Sequence, residues 1–166
     1  MSYVYKTIDS PVGQLKLVAN GDRLCAILWQ NEQPGRVRLG PMREDPERPV
    51  LLETQRQLQE YFAGRRDSFA LELDLAGSAF QQQVWQALLT IPFGETRSYS
   101  QIARQIGNPR AVRAVGAANG KNPISIVAPC HRVIGASGAL TGFAGGLQAK
   151  KLLLALEDKQ QLHMAW

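Results

Sequence analysis

Apolar residues near the start of the chain fall in short β-rich runs, Val4–Ile8, Leu15–Ala19 and Cys25–Trp29. Ser10-Pro11-Val12-Gly13 and Asn20-Gly21-Asp22 separate them. Runs punctuated in this way predict a β-meander, with Asn-Gly a strong hairpin signal. Residues 31–49 hold four prolines, two glycines and many charges, and predict a loop. From Leu51 to Phe62 a helical period sets Leu51, Leu52, Gln55, Leu58 and Phe62 on one face, and Gly64 ends it. Phe69, Leu71, Leu73 and Leu75 then alternate with small or acidic residues, the pattern of a half-buried strand.

After Gly77-Ser78 the period becomes helical. Ser78 is placed to cap a helix with Phe80, Val84, Trp85, Leu88 and Leu89 inward, ending before Pro92-Phe93-Gly94. Ser98 and Gln101 form a capping box for a short helix carrying Tyr99, Ile102, Ala103 and Ile106 at i, i+3, i+4 and i+7. Gly107 ends it, and Asn108 with Pro109 is read as the cap and first position of the next. Two short helices joined in this way predict a helix-turn-helix. The second is slim: Ala111, Ala114, Gly116, Ala117 and Ala118 leave it nearly smooth, with Arg110 and Arg113 one turn apart. A smooth helix suits either tight packing inside a protein or close approach to another surface. The last apolar segment, Leu147–Leu156, predicts a helix with Glu157 at its end.

Composition adds a location for the partner. The 166 residues are 45% hydrophobic and 20% charged, the balance of a folded globular protein. No apolar run approaches the ~18 residues of a membrane span. The N-terminus lacks the basic and apolar pattern of a secretory signal, so a cytoplasmic or nuclear protein is expected, the cytoplasm first. Residues 1–78 carry 10 basic and 11 acidic side chains, whereas residues 79–166 carry 9 basic and 3 acidic. The second half thus has the charge to meet a polyanion, although a basic solvated surface would read the same. Cys25, Cys130, His131 and His163 are the only Cys and His residues. A zinc site would need all four to converge, so no metal is expected.

The stretch Asn122-Pro123-Ile124-Ser125-Ile126-Val127-Ala128-Pro129-Cys130-His131-Arg132 is the chemical centre of the sequence. A cysteine beside cationic groups favours its thiolate, the nucleophilic form, although on these residues alone a buried, inert Cys130 would read the same. His131 can take the thiol proton, and because adjacent side chains seldom face each other, a water relay is favoured over direct contact. Such a base needs a third group to orient it, and Glu157 is the leading acid of this half. Cys25, in an apolar strand, reads as inert. Gly142-Phe143-Ala144-Gly145-Gly146 offers close backbone approach to a flat ligand, and reads equally as a plain flexible loop.

Pro129-Cys130-His131-Arg132-Val133 resembles the PCHRV signature of the O6-alkylguanine-DNA alkyltransferases. Phe80-Gln81-Gln82-Gln83-Val84-Trp85, Ile91-Pro92-Phe93-Gly94-Glu95, Ser98-Tyr99, Gly107-Asn108-Pro109, Arg113-Ala114-Val115-Gly116, Asn122-Pro123 and the glycine-rich loop resemble it in the same order. The likeness is continuous over residues 78–157 and weaker before. It implies an α+β fold in two lobes. Residues 1–77 would form a ribonuclease-H-like lobe with a small antiparallel sheet and a helix. Residues 78–166 would form a winged-helix-like DNA-binding lobe.

The implied function is direct-reversal repair by a stand-alone protein. An alkyl group would pass irreversibly from O6-methylguanine, and from O4-methylthymine, to Cys130 after the base is flipped from the minor-groove side of duplex DNA. His131 matches the base and Glu157 the acid that orients it, while Asn122 braces the turn. Tyr99 matches the residue that rotates the target phosphate and bonds guanine N3, and Arg113 the finger that fills the vacated stack. Ala114 and Ala118 lie on the recognition helix. Ser125, Phe143 and Ala144 line the substrate pocket, carbonyls of Cys130 and Val133 read the exocyclic amine, and Lys150 lies near the acceptor. No cofactor is implied, and the partner is double-stranded DNA met by a monomer, with cooperativity left open. Two departures stand out: Phe143 replaces a common tyrosine, and no histidine precedes Glu157. A non-catalytic lesion binder and a Cys–His hydrolase are the rival readings; retention of Cys130 argues against the first and the idle helix-turn-helix against the second.

Overall fold

The computed structural model describes residues 2–138 and 143–164. Gly142 of the glycine-rich motif lies outside them. The meander forms as the pattern predicts: β1 (Tyr3–Ile8), β2 (Leu15–Asn20) and β3 (Arg23–Trp29) are consecutive antiparallel neighbours. Gly21, at φ 62°, turns the second hairpin in the left-handed region that glycine tolerates. The proline-rich loop hides a further strand, β4 (Met42–Glu44), which pairs parallel to β1 and gives the order β3-β2-β1-β4. The sheet is therefore mixed rather than antiparallel; three residues between prolines are too short to show alternation.

Helix α1 (Pro49–Phe62) crosses the sheet with Leu51, Thr54, Gln57, Leu58 and Tyr61 buried. This stripe is rotated from the expected one: Leu52 is 40% exposed and Tyr61, not Phe62, faces inward. The helix ends in a Schellman arrangement, with Arg65 N–H donating to Glu60 O and Gly64 N–H to Tyr61 O. Phe69, Leu71, Leu73 and Leu75 are partly buried as the alternation requires. Among the described residues they make no ladder, and Leu73 alone of them bridges, to Leu24. The segment is an extended strap.

The second lobe is helical. Ser78 caps α2 (Ala79–Leu88) and Ser98 caps α3 (Tyr99–Gln105), each through a complete capping box. Helix α4 (Val112–Gly120) starts at Val112 rather than Pro109. Asn108 O instead accepts from Ala111 N–H in a preceding turn, and no side chain caps the helix. Strands β5 (Arg97–Ser98) and β6 (Val133–Ile134) form a two-residue parallel ladder, completing the winged-helix-like unit. Helix α5 (Leu147–Met164) extends beyond the expected Leu156, so Glu157 lies within it. No helix among the described residues is long and apolar enough to cross a membrane.

Each lobe has its own core, and the reactive segment joins them. Val84, Trp85, Leu88, Ile102, Val115 and Cys130 share the helical core. Ile124, Ile126 and Val127 instead pack with Leu17, Ile27, Leu58 and Tyr61 of the sheet lobe. A parallel bridge from Ile27 to Ile124 stitches β3 to this segment, with Ile27 N–H donating to Pro123 O at 2.9 Å.

The start of α2 is tightly fitted. A Cβ at Gly77 would lie 2.5 Å from the ring of Trp85, which is 2% exposed and held by its indole N–H to Ala118 O at 2.8 Å. The ring cannot yield without breaking that bond. Gly77→Ala is expected to lower stability by about 1–3 kcal/mol, the usual cost of overpacking. Urea denaturation reads it; an unchanged midpoint would mean the indole moves freely.

Candidate active site

Pro123 to Pro129 is a string of tight turns that ends at the cysteine. Ile126 has φ 76°, an uncommon value for a β-branched residue, and Val127 N–H donates to Ser125 O at 2.9 Å around it. Asn122 braces this strained backbone from inside. Its side-chain amide donates to Ala128 O at 2.8 Å and its carbonyl oxygen accepts from Ile124 N–H at 3.1 Å. From outside, the Arg36 guanidinium donates to the carbonyls of Gly120 and Asn122 at 3.0 and 2.9 Å while paired with Glu32. The braced segment delivers Cys130, His131 and Arg132 on one turn of 3-10 helix.

Cys130 is 3% exposed, and His131, Asn122, Ser125 and Lys150 are fully buried. His131 Nε2 lies 2.7 Å from Glu157 Oε2. Burial holds His131 below its ordinary pKa, with the Glu157 hydrogen bond acting against this, so the ring is neutral near neutral pH. Neutral imidazole beside an ionised carboxylate donates from Nε2, which leaves Nδ1 as a lone-pair acceptor. Among the described residues, His131 Nδ1 is buried without a hydrogen-bond partner. A base needs that free lone pair.

Glu157 is the most connected side chain of the site. Tyr61 Oη donates to Oε2 at 2.6 Å, Arg132 donates from Nε and Nη2 at 2.9 and 3.0 Å, and Gly94 N–H approaches Oε1 at 3.4 Å. Burial alone would raise this carboxyl, but the hydrogen bonds from His131 and Arg132, with the charge of the Arg132 guanidinium, override it and bring it down to about 2. Tyr61 and Arg132 are the residues that sequence reasoning missed here. Arg132 does not serve the thiol, as its position two residues on suggested. Burial pushes the Cys130 thiol up, and hydrogen bonds from Asn122 and Ser125 together with the charges of Arg36 and Lys150 oppose it.

The remaining candidates are spread around this centre. Lys150, its pKa lowered by burial, donates to Val133 O at 2.7 Å, and Val133 N–H donates to Cys130 O. Both carbonyls expected to read a base thus already accept one hydrogen bond, leaving the second lone pair of each. Phe143 packs edge-on against Trp29 at 5.3 Å, beside Ala144 in the same partly buried loop. Tyr99 opens α3 beside Gly116 of α4, where an added Cβ would lie 3.9 Å from its ring. On α4, Arg113, Ala114 and Ala117 are exposed, as are Arg104 of α3 and Arg110 and Lys121 on either side of α4. Ala118 turns inward at 3% exposure, so Ala117 takes its place on the outer surface. Cys25 is buried, and burial pushes its thiol up to about 12, which leaves it inert.

Fold and site together define a helix-turn-helix protein with a buried cysteine–histidine–glutamate array beneath its outer helix. The profile described as "6-O-methylguanine DNA methyltransferase, ribonuclease-like domain" matches residues 3–75, and that described as "6-O-methylguanine DNA methyltransferase, DNA binding domain" matches residues 79–159. The methylated-DNA–protein-cysteine methyltransferase of Mycobacterium leprae is 52% identical, covering 95% of this chain and 93% of its own. The constitutive enzyme of Bacillus subtilis is 47% identical, covering 95% and 96%. The crystal structure of Mycobacterium tuberculosis OGT in complex with DNA superposes with a TM-score of 0.87 at 51% identity, covering 96% of this chain and 94% of that one. The chain belongs to the 6-O-methylguanine DNA methyltransferase family.

The charge arrangement fixes an acid sensitivity. Glu157 has a folded pKa near 2, below its ordinary 4.5, so its stabilisation is complete above 4.5 and is lost as pH falls toward 2. The folded pKa of His131 also lies below its ordinary 6.5, so the unfolded chain gains its proton first and stability falls as pH drops below 6.5. Glu157→Gln strands Arg132 and is expected to cost about 3–5 kcal/mol at neutral pH. It should also flatten the dependence on pH below 4.5. Denaturation curves at several pH values read both effects; parallel pH profiles would contradict the assignment.

Proposed function

We propose that this protein repairs DNA by taking the alkyl group of O6-methylguanine onto Cys130, once per molecule. The observation that carries the reading is the buried array Cys130, His131 and Glu157 set behind an exposed, basic, alanine-lined helix. His131 Nδ1 takes the thiol proton through a water. The thiolate attacks the alkyl carbon in line: the S–C bond forms as the C–O6 bond breaks, and the bond pair stays with the guanine. A proton equivalent to the one the thiol gave up restores the neutral base. A purine oxygen leaves poorly without charge compensation, and the Tyr99 hydroxyl at N3 with the Ala144 N–H at O6 supplies it. O4-methylthymine presents a comparable alkylated oxygen and is the second substrate.

The alkyl carbon cannot be reached inside the duplex, so the base must leave the stack at a cost of a few kcal/mol. Arg113, exposed on α4, fills the gap from the minor groove and offsets part of that cost. The small side chains of Ala114 and Ala117 let α4 enter a groove ~6 Å wide. Ser125, Phe143 and Ala144 bound the alkyl pocket, and Lys150 holds its floor through Val133. The protein works as a monomer on double-stranded DNA, with residues 1–77 as the supporting lobe and 78–166 as the DNA-binding and acceptor lobe.

Intact and peptide mass spectrometry after mixing with a duplex carrying one O6-methylguanine tests the reading. One methyl on the Cys130 peptide, saturating at one equivalent, is expected, with none for Cys130→Ser, which still binds the duplex. Tight binding without any mass change would instead make the protein a lesion binder. Arg113→Ala should slow transfer from duplex far more than transfer from free O6-benzylguanine; equal slowing would remove the finger role.

A further inference from the structure

Tyr61 enters the site from the sheet lobe, on the last turn of α1, and is fully buried. Aromatic neighbours wall its ring. Phe62 at 5.3 Å and Phe93 at 6.3 Å meet it edge-on, and Phe69 lies tilted at 5.4 Å. A buried phenol needs a partner for its hydroxyl. Here the hydroxyl donates to Glu157 Oε2 at 2.6 Å. Burial and the Glu157 charge push the phenol pKa up, so it stays a donor. The same Oε2 faces His131 Nε2 at 2.7 Å and accepts from Arg132 Nη2 at 3.0 Å. Three donors therefore share one oxygen. The other oxygen, Oε1, accepts from Arg132 Nε at 2.9 Å, with the Gly94 N–H at 3.4 Å.

Each donor to a carboxylate lowers its affinity for a proton. An oxygen that already accepts from a phenol is a weaker acceptor for the imidazole N–H beside it. It also stabilises a positive charge on that ring less. Arg132 bonds both oxygens and is tied to Ile91 O at 2.7 Å, so it fixes the carboxylate as a whole. Tyr61 acts on the one oxygen that His131 uses. We propose that Tyr61 is a positioning residue of the proton relay: its hydroxyl holds Oε2 beside the imidazole and limits how strongly the carboxylate draws a proton onto His131, so that the sheet lobe sets the basicity of the relay. This rests on the reading of His131 as the base that takes the Cys130 proton. The other titratable and charged groups about His131 are Cys130 and Arg132 on its own turn, and Glu157 and Lys150 on α5. Removing the phenol oxygen leaves all four in place.

The test compares the parent with Tyr61→Phe, which deletes the hydroxyl and keeps the ring. A third protein carries 3-fluorotyrosine at position 61, whose more acidic phenol is a stronger donor. The Nε2–H proton and nitrogen-15 signals of His131, followed against pH, read the hydrogen bond and the titration of the ring. Single-turnover methyl transfer from a duplex with one O6-methylguanine, followed against pH, reads the base. In Tyr61→Phe the Nε2–H proton signal should move downfield, and the protonated fraction of His131 at a given acidic pH should rise about fivefold. The acid limb of the transfer profile should move to higher pH with it, while the plateau rate changes by about twofold or less. In the fluorotyrosine protein the Nε2–H signal should move upfield. An unmoved signal there overturns the proposal even if Tyr61→Phe is too unstable to assay. A transfer rate lowered at every pH in Tyr61→Phe, with the acid limb in place, overturns it as well, because that is the mark of a structural role. Failure of the parent to accept a methyl group would refute the alkyl-acceptor reading instead, while the His131 signals would still report on the coupling.

Discussion

Glu157 sits 1% exposed at the seam between the lobes and accepts hydrogen bonds from Tyr61, His131 and Arg132. An ion removed from water to this degree costs several kcal/mol unless its lone pairs are filled. Here they are filled from α1 and from the turn that follows the cysteine, with the Gly94 N–H close by. The fold must bring all of these to one point, so the requirement to satisfy one carboxylate also places the imidazole. The ionised carboxylate then fixes the imidazole tautomer and leaves Nδ1 as the acceptor. Stability and chemistry thus depend on the same group.

The nucleophile depends on a second constraint, the strained backbone before it. Ile126 at φ 76° is tolerated because Asn122 fills the polar groups of the turn from within and Arg36 holds it from without. The apolar side chains of this turn are buried against the sheet lobe, whose strand β3 bridges Ile124. The sheet lobe therefore does more than shield a core. It supplies Tyr61 to the carboxylate, Arg36 to the turn and Trp29 to Ser125. The outer helix α4 is free of these duties on its exposed side, which leaves Arg113, Ala114 and Ala117 for a partner.

Features written in local chemistry were legible in the sequence. The meander, the Ser78 cap, the Ser98 capping box, the Gly64 stop and the pairing of Glu157 with His131 each follow from residues a few positions apart or from the scarcity of acids in one half. What was not legible depends on direction. The stripe of α1 was placed one residue away from where it lies, and that single step exchanged Phe62 for Tyr61 and hid a partner of Glu157. Arg132 sits two residues from a thiol in sequence yet points to the carboxylate, because a turn of 3-10 helix separates their directions. The strap Phe69–Leu75 alternates like a strand without a ladder, since burial of one face sets the period whether or not the backbone is paired. Ala118 was expected outside and lies under Trp85, a distinction that a helix of small residues does not announce.

The central claim is that an ionised Glu157 holds His131 as a neutral ring with its proton on Nε2. Nitrogen-15 NMR of ring-labelled protein at neutral pH reads this directly from the two ring nitrogen shifts. The account predicts a protonated Nε2 and an unprotonated Nδ1 for the fully buried His131, and loss of that fixed pattern in Glu157→Gln. A doubly protonated ring, or a proton on Nδ1, would contradict it.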